Sequence, residues 1–325
     1  MERIAARLSA ADRLLLLTHA RPDGDAVGAM AALASSARAA GKAARTIVPG
    51  GMPDRWGFLF PEDRPAGTKD FAALADEADL IVVVDTCAFA QLDGLQDALR
   101  ARREDVVVLD HHATRDDVGA VQWIDPSAAA AGVMVAELLE ALSWPVTPAA
   151  AEALLAAMTT DTGWFRLSNT DGRCLRAAAR LMDGGIRPDG LYRRLYESDR
   201  PERLRLLARA LASLRLHAGG GIATMSLRRS DFAETGARAD ETENFVNEAL
   251  RMGGVETAIL LVENDDCVRV SLRSRDRVDV SALAARFGGG GHRRAAGVRS
   301  TEDLDRLKQK LIEACAQELN RSESP

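Results

Sequence analysis

A chain of 325 residues, 47% hydrophobic and 28% charged, is too long for one comfortable core and suits two soluble domains. Its formal net charge of −6 argues against coating long duplex DNA, where many phosphates must be neutralised, but suits a small anion held by a few local cations. No apolar run is long enough to span a bilayer, and the charged start Met1-Glu2-Arg3 lacks a secretion-signal stretch, so a cytoplasmic protein without a membrane partner is expected. Cys87, Cys174, Cys267 and Cys315 are scattered and form no Cys-x-x-Cys pair, which predicts inert thiols instead of disulfides or a zinc–thiolate site.

Short apolar runs alternate with helical patterns through the first half, as in a parallel α/β sheet. Residues 14–17, all Leu, read as a buried strand. An Ala-rich helix over 26–40 follows, closed by Gly41. Residues 46–48 predict a second strand, and 80–84 and 106–109 are continuous β-branched runs of the kind covered on both faces. Residues 121–124 predict one more strand. From 131 the pattern turns helical, over 131–142, 148–158, 173–182 and 191–196. A helix over 202–216, ending at Gly219-Gly220-Gly221, reads as a connector. Strands near 222–226, 255–262 and 268–273 then mix with helices near 244–252, 280–286 and 302–319. The expected fold class is α/β, with a parallel-sheet domain over 1–196, a helical linker over 197–220 and a smaller α+β domain over 221–320. A disordered tail over 321–325 completes the expectation.

Three of these strands run into metal-ligand residue types: 14–17 into Thr18-His19, 80–84 into Asp85, and 106–109 into Asp110-His111-His112. In open parallel sheets, ligands bind outside the carboxyl ends of the strands, so these residues should converge on one crevice. The loop His19-Ala20-Arg21-Pro22-Asp23-Gly24-Asp25 adds two carboxylates, and Asp161 follows a helical segment in Thr159-Thr160-Asp161-Thr162-Gly163. Five acids in one crevice would repel strongly. Two divalent cations offset four of them. Mixed Asp and His ligation without thiolate suits Mn²⁺ best, with Mg²⁺, Co²⁺ or Zn²⁺ as substitutes.

At His19-x-x-x-Asp23-x-Asp25, Val84-Asp85, Asp110-His111-His112 and Thr160-Asp161-Thr162-Gly163 the chain resembles the DHH phosphoesterase superfamily. In the second half Ser271-Leu272-Arg273-Ser274, Phe287-Gly288-Gly289-Gly290-Gly291-His292 and Ala295-Ala296-Gly297 resemble the DHHA1 domain. The pair spans nearly the whole chain in the arrangement of the NrnA-like subfamily, whose members act as oligoribonucleases and pAp phosphatases.

The resemblance implies that one Mn²⁺ is held by His19, Asp23 and Asp85 and the other by Asp25, Asp85, His111 and Asp161, with Asp85 bridging. It implies that Asp110 orients the His111 ring and that His112 faces the scissile phosphate. Arg273, Ser274, Gly289, Gly290, Gly291 and His292 are the implied substrate contacts, with the glycines letting backbone N–H groups approach an anion. A metal-bridging hydroxide would attack phosphorus in line. Proteins of this type often carry Asn three residues after the second His, where this chain has Arg115.

The implied substrates are short RNA or dinucleotides, cut to mononucleotides, and 3′-phosphoadenosine 5′-phosphate, cut to AMP. Cyclic di-AMP or linear pApA is the alternative. An inorganic pyrophosphatase, a long-strand exonuclease of the RecJ type and a non-catalytic nucleotide-binding regulator are the less favoured readings. Similar proteins are often dimeric, so a homodimer is implied.

Overall fold

The computed structural model describes residues 1–321 apart from Glu62 and Thr114, and the backbone alone at His292. The end of the expected disordered tail, 322–325, lies outside the described residues. Two compact units divide the chain, Met1–Glu197 and Ser198–Pro325. Among the described residues no helix is long and apolar enough to cross a membrane. All four cysteines are free, and all but Cys267 are buried.

The first unit is built on five parallel strands, β1 (Arg13–Leu17), β2 (Ala43–Ile47), β3 (Leu80–Val84), β4 (Val106–Asp110) and β5 (Val121–Ile124). Their order is β2-β1-β3-β4-β5. Every residue of β3 and β4 is buried, because alternate side chains feed cores on opposite faces. Leu14, Leu16, Val82 and Val107 enter one core, whereas Leu15, Leu17, Val83 and Val108 enter the other. The β-branched runs thus read correctly as doubly covered strands.

Helices Gly24–Ala39, Ala131–Leu142 and Pro148–Asp161 supply much of the first core. Their small residues let them pack closely. A Cβ at Gly28 would stand 2.4 Å from the Ala153 carbonyl oxygen and 2.9 Å from the Ala157 nitrogen. This close approach of Ala-rich helices fills a core in a chain with only 4% aromatic residues.

In the second unit six strands form one mixed sheet: β6 (Arg215–His217), β7 (Ile222–Leu227), β8 (Thr257–Glu263), β9 (Val268–Ser274), β10 (Gly290–His292) and β11 (Ala295–Ser300). They run in the order β10-β11-β9-β8-β7-β6, with β7 and β8 parallel and the other neighbours antiparallel. Helices Val280–Ala285 and Leu304–Arg321 cover one face through Leu283, Leu307 and Leu311. Helices Pro201–Ala212 and Phe245–Ala249 cover the other through Leu206, Ala210, Phe245 and Val246.

The architecture is the expected α/β type, and its differences from expectation have local causes. The helix expected over 202–216 ends at Ala212. Ser213 Oγ accepts from the backbone N–H of Ser226 at 2.8 Å, drawing the chain onto the edge of β7 as β6. That helix packs within the second unit. The helix expected to stop at 158 continues to Asp161, so Asp161 ends a helix instead of lying in a loop.

The glycine run leads into β10, which starts at Gly290, and close packing demands two of its members. A Cβ at Gly289 would stand 2.1 Å from the Gly297 carbonyl oxygen, and one at Gly291, where φ is +146°, would stand 2.5 Å from that of Ala295.

Candidate metal centre

The centre lies at the carboxyl ends of β1, β3 and β4. Thr18 Oγ1 donates to the Val84 carbonyl at 2.8 Å, tying the end of β1 to β3 and setting where His19 leaves the sheet. Asp23 caps helix Gly24–Ala39, with Oδ1 accepting from the N–H groups of Asp25 and Ala26 at 3.0 and 3.1 Å. Asp25 is buried in the first turn. Its two oxygens accept from the N–H groups of Ala131 and Gly132 at 2.6 and 2.8 Å, at the start of a second helix where orphan donors favour a carboxylate. Gly24 between them is required, since a Cβ there would stand 2.4 Å from Thr160 Oγ1 and 2.7 Å from the Trp56 ring.

Asp85 leaves β3 in the left-handed region with φ +62°, a conformation that costs roughly 1–3 kcal/mol and persists only where the surroundings enforce it. Its N–H donates to the Leu109 carbonyl at 2.8 Å. The side chain is buried, and Oδ1 accepts no hydrogen bond from any described residue.

Around this carboxylate the predicted ligands converge. His19 Nε2 stands 3.6 Å from Asp85 Oδ2. His111 Nε2 stands 3.4 Å from Asp85 Oδ1, 3.5 Å from Asp25 Oδ2 and 3.9 Å from Asp161 Oδ2. Donor atoms of His19, Asp23 and Asp85 lie within 4.8 Å of one another, as do those of Asp25, His111 and Asp161, and of Asp85, His111 and His112. The six expected ligands therefore form two abutting clusters.

The expectation for Asp110 needs correction. Its Oδ1 accepts from the backbone N–H of His112 at 3.1 Å and pairs with His112 Nδ1 at 2.7 Å, so it orients His112 and not His111. The reason is local, because an Asp side chain readily bonds backbone two residues on, and here the turn carries the following ring with it. His111 Nδ1 is instead 3.1 Å from the Ala128 carbonyl. An Nδ1–H donated there leaves Nε2 to act as a ligand.

Two ligands are thus oriented directly by one stretch of backbone, 128–132, and a third through Asn169, a support that sequence reasoning missed. Ala128 holds His111, and Ala131 and Gly132 hold Asp25. Asn169 completes the set, its amide donating to the Ala129 carbonyl at 3.0 Å and to Asp161 O and Oδ2 at 3.2 and 3.3 Å. Asp125, just before this stretch, pairs with Arg173 at 2.6 Å, and Arg173 also grips Glu137 at 2.5 Å.

Burial and crowding shape the charges. Burial first, then the charges of Asp85 and Asp161, push the Asp25 carboxyl well above its usual range. Burial raises Asp161 to about 6. Burial alone would raise Asp85, but His111 and His19 hold it low. His111 is pulled down by burial and more than restored by Asp85 and Asp25, a net upward shift. His112 is raised by its bond to Asp110.

In the second unit, the substrate contacts implied for Arg273 and Ser274 separate. Arg273 is half-buried, its NH1 donating to the Leu272 carbonyl at 3.0 Å, and burial lowers its pKa while the charge of Glu243 opposes that. Ser274 corrects the expectation: it is 5% exposed and donates to Glu256 Oε1 at 3.0 Å, a bond internal to the fold. Gly290 has open space where a side chain would stand. The His292 side chain lies outside the described residues.

Residues 13–158 match the DHH family, N-terminal domain, and 207–317 match the DHHA1 domain. The chain is 30% identical over 319 residues to the bifunctional oligoribonuclease and PAP phosphatase NrnA of Thermus thermophilus, covering 95% of this chain and 91% of that one. The chain belongs to the DHH family. A cyclic-di-AMP phosphodiesterase, GdpP of Geobacillus thermodenitrificans, is 26% identical over 94% of this chain and 48% of its own length. The structure of an exopolyphosphatase-related protein from Bacteroides fragilis superposes with a TM-score of 0.90 over 98% of this chain and 95% of that one, at 24% identity, a likeness of fold.

As a DHH protein the chain is a hydrolase, and its carboxylate–imidazole cluster has the donor chemistry of a divalent metal site. The orphaned buried oxygen of Asp85 fits that reading, since a buried carboxylate oxygen without a donor is costly unless a cation faces it. Arg115, where similar proteins often have Asn, is exposed and belongs to neither ligand cluster.

Proposed function

We propose that this DHH protein is a cytoplasmic Mn²⁺-dependent phosphoesterase that hydrolyses short oligoribonucleotides to mononucleotides and 3′-phosphoadenosine 5′-phosphate to AMP. The carrying observation is the pair of abutting ligand clusters around one orphaned carboxylate, Asp85. The relative from Thermus thermophilus supports the substrate class. His19, Asp23 and Asp85 would hold one metal, and Asp25, His111 and Asp161 the other, with Asp85 facing both.

Divalent ions bound there supply Lewis acidity, charge neutralisation and a lowered water pKa. The chain's own residues do the rest. Asp25 and Asp161 are held in place by Ala131, Gly132 and Asn169, so little reorganisation is needed during reaction. His112, oriented by Asp110, whose bond raises its pKa, gives its Nε2 proton to the leaving nucleoside oxygen as the phosphorus–oxygen bond breaks. Water supplies the oxygen that forms the new bond, and its proton passes to solvent. Arg273 and the backbone around Gly290 are the proposed phosphate contacts of the second unit, which His292 would join, and the protein acts as a homodimer.

Purified protein assayed with Mn²⁺ on 3′-phosphoadenosine 5′-phosphate, pApA, a five-nucleotide RNA and cyclic di-AMP tests this. Release of phosphate or mononucleotide from the first and third is expected. Turnover of cyclic di-AMP alone would move the assignment to the activity named for the Geobacillus relative, turnover of pApA alone would move it to the linear dinucleotide, and no product from any substrate would refute the reading.

A further inference from the structure

Most arginines of the first unit are already engaged. Arg13, Arg38, Arg45, Arg64, Arg100, Arg102, Arg103, Arg173, Arg180, Arg187, Arg193 and Arg194 pair with acids, Arg7 donates to a carbonyl, and Arg55 lies over Trp56. Five exposed arginines, Arg3, Arg21, Arg115, Arg166 and Arg176, make no hydrogen bond or ion pair through the guanidinium with any described residue. Three of the five stand on segments that carry a metal ligand or directly follow one.

Arg21 lies between His19 and Asp23, Arg115 follows His112 by three residues, and Arg166 follows Asp161 by five. The ligand triads His19/Asp23/Asp85, Asp85/His111/His112 and Asp25/His111/Asp161 overlap through Asp85 and His111, so the three segments border one centre. The turn before Arg166 is built under strain. Gly163, Trp164 and Phe165 take φ of +55°, +59° and +61° in succession, unusual for two aromatic residues. Thr162 holds it, its carbonyl accepting from Arg166 and Leu167 and its hydroxyl from Phe165. The effect is to turn the chain sharply beside Asp161.

Charge arithmetic says what such a rim could do. Four carboxylates, Asp23, Asp25, Asp85 and Asp161, balance two divalent ions and leave no surplus for the substrate. A dinucleotide brings one diester charge. A substrate with a terminal monoester brings about 1.5–2 more negative charges at neutral pH, which need further cations close by. We propose that Arg21, Arg115 and Arg166 form a subsite in the first unit for a non-reacting terminal phosphate, so that the enzyme favours end-phosphorylated nucleotides over unphosphorylated dinucleotides. This rests on the proposed nucleotide substrate, and it gives Arg115 a role that Asn could not fill.

The test uses the full chain with Mn²⁺. Arg115→Asn, Arg21→Ala and Arg166→Ala, singly and together, are compared on 3′-phosphoadenosine 5′-phosphate and on unphosphorylated ApA. The ratio of kcat/KM values, phosphorylated over unphosphorylated, should fall about 10-fold for each charge removed, in the range of one charge-assisted hydrogen bond. Arg3→Ala and Arg176→Ala, equally unengaged but on none of the ligand loops, should leave that ratio unchanged. Raising salt should shrink the wild-type preference and leave that of the triple variant level.

Equal losses on both substrates, or equal effects of the Arg3 and Arg176 controls, would overturn the subsite. If the wild type turns over neither substrate, the proposed function fails, and calorimetric binding of 3′-phosphoadenosine 5′-phosphate then decides the subsite. Weaker binding by the triple variant supports it, and unchanged affinity rejects it.

Discussion

Asn169 touches no proposed ligand atom except Asp161 Oδ2, so its replacement separates positioning from ligation. Its single amide NH₂ has two hydrogens to share among Ala129 O at 3.0 Å, Asp161 O at 3.2 Å and Asp161 Oδ2 at 3.3 Å. Two full bonds are the most it can make, worth about 1–2 kcal/mol together. Asn169→Ala should therefore weaken metal binding roughly 5- to 30-fold, at 1.4 kcal/mol for each factor of ten. That overlaps the roughly 10–100-fold typical of residues that orient ligands.

Because Asn169 is exposed, the metal-free protein should lose less than about 1 kcal/mol of stability. Calorimetric titration with Mn²⁺ measures the first quantity, and a thermal melt after chelation measures the second. Metal affinity within about 2-fold of wild type, or a fall in metal-free stability as large as the fall in affinity, would refute the reasoning.

Removing Asp85 should be more severe. Asp85→Asn keeps a side chain that tolerates φ +62° but loses the charge facing both clusters, so hydrolysis should fall to background and bound metal be lost on dialysis; near-normal turnover would refute the assignment. Gly28→Ala places a Cβ 2.4 Å from the Ala153 carbonyl, forcing apart the helices that carry Asp25 and Asp161. It should cost about 1–3 kcal/mol, and a melting temperature equal to wild type would contradict the packing.

In the second unit, burial alone would raise Glu256, but the N–H groups of Asp276 and Arg277 and the Ser274 hydroxyl hold it below the usual range. Its stabilisation is therefore whole above the unfolded value, near 4.5, and fades as pH falls through the lower folded value. Glu256→Gln should lose about 1–2 kcal/mol at neutral pH, with the gap to wild type closing on acidification; a gap independent of pH would contradict this account. Chelation of the wild type should abolish hydrolysis, with activity restored by Mn²⁺.

Much of the frame was legible in the sequence because the physics there is local. Runs such as 80–84 and 106–109 have one stable use, as strands covered on both faces, and β3 and β4 occupy those positions. The helix expected over 131–142 is observed there as Ala131–Leu142. The glycine run was harder to read, because open backbone and close strand packing call for the same residue. Gly289 and Gly291 turned out to serve the pairing of β10 with β11.

The sequence by itself determined which side chains meet. His19, Asp23, Asp25, Asp85, His111 and Asp161 stand at the ends of elements whose period and order are set by residue type. What only the tertiary structure decided is how each is held. Asp110 turns to His112, His111 leans on the Ala128 carbonyl, Asp25 on the N–H groups of Ala131 and Gly132, and Asp161 on Asn169. Every residue but proline offers the same carbonyl and N–H, so no residue type marks in advance the backbone group that will orient a ligand more than a hundred positions away.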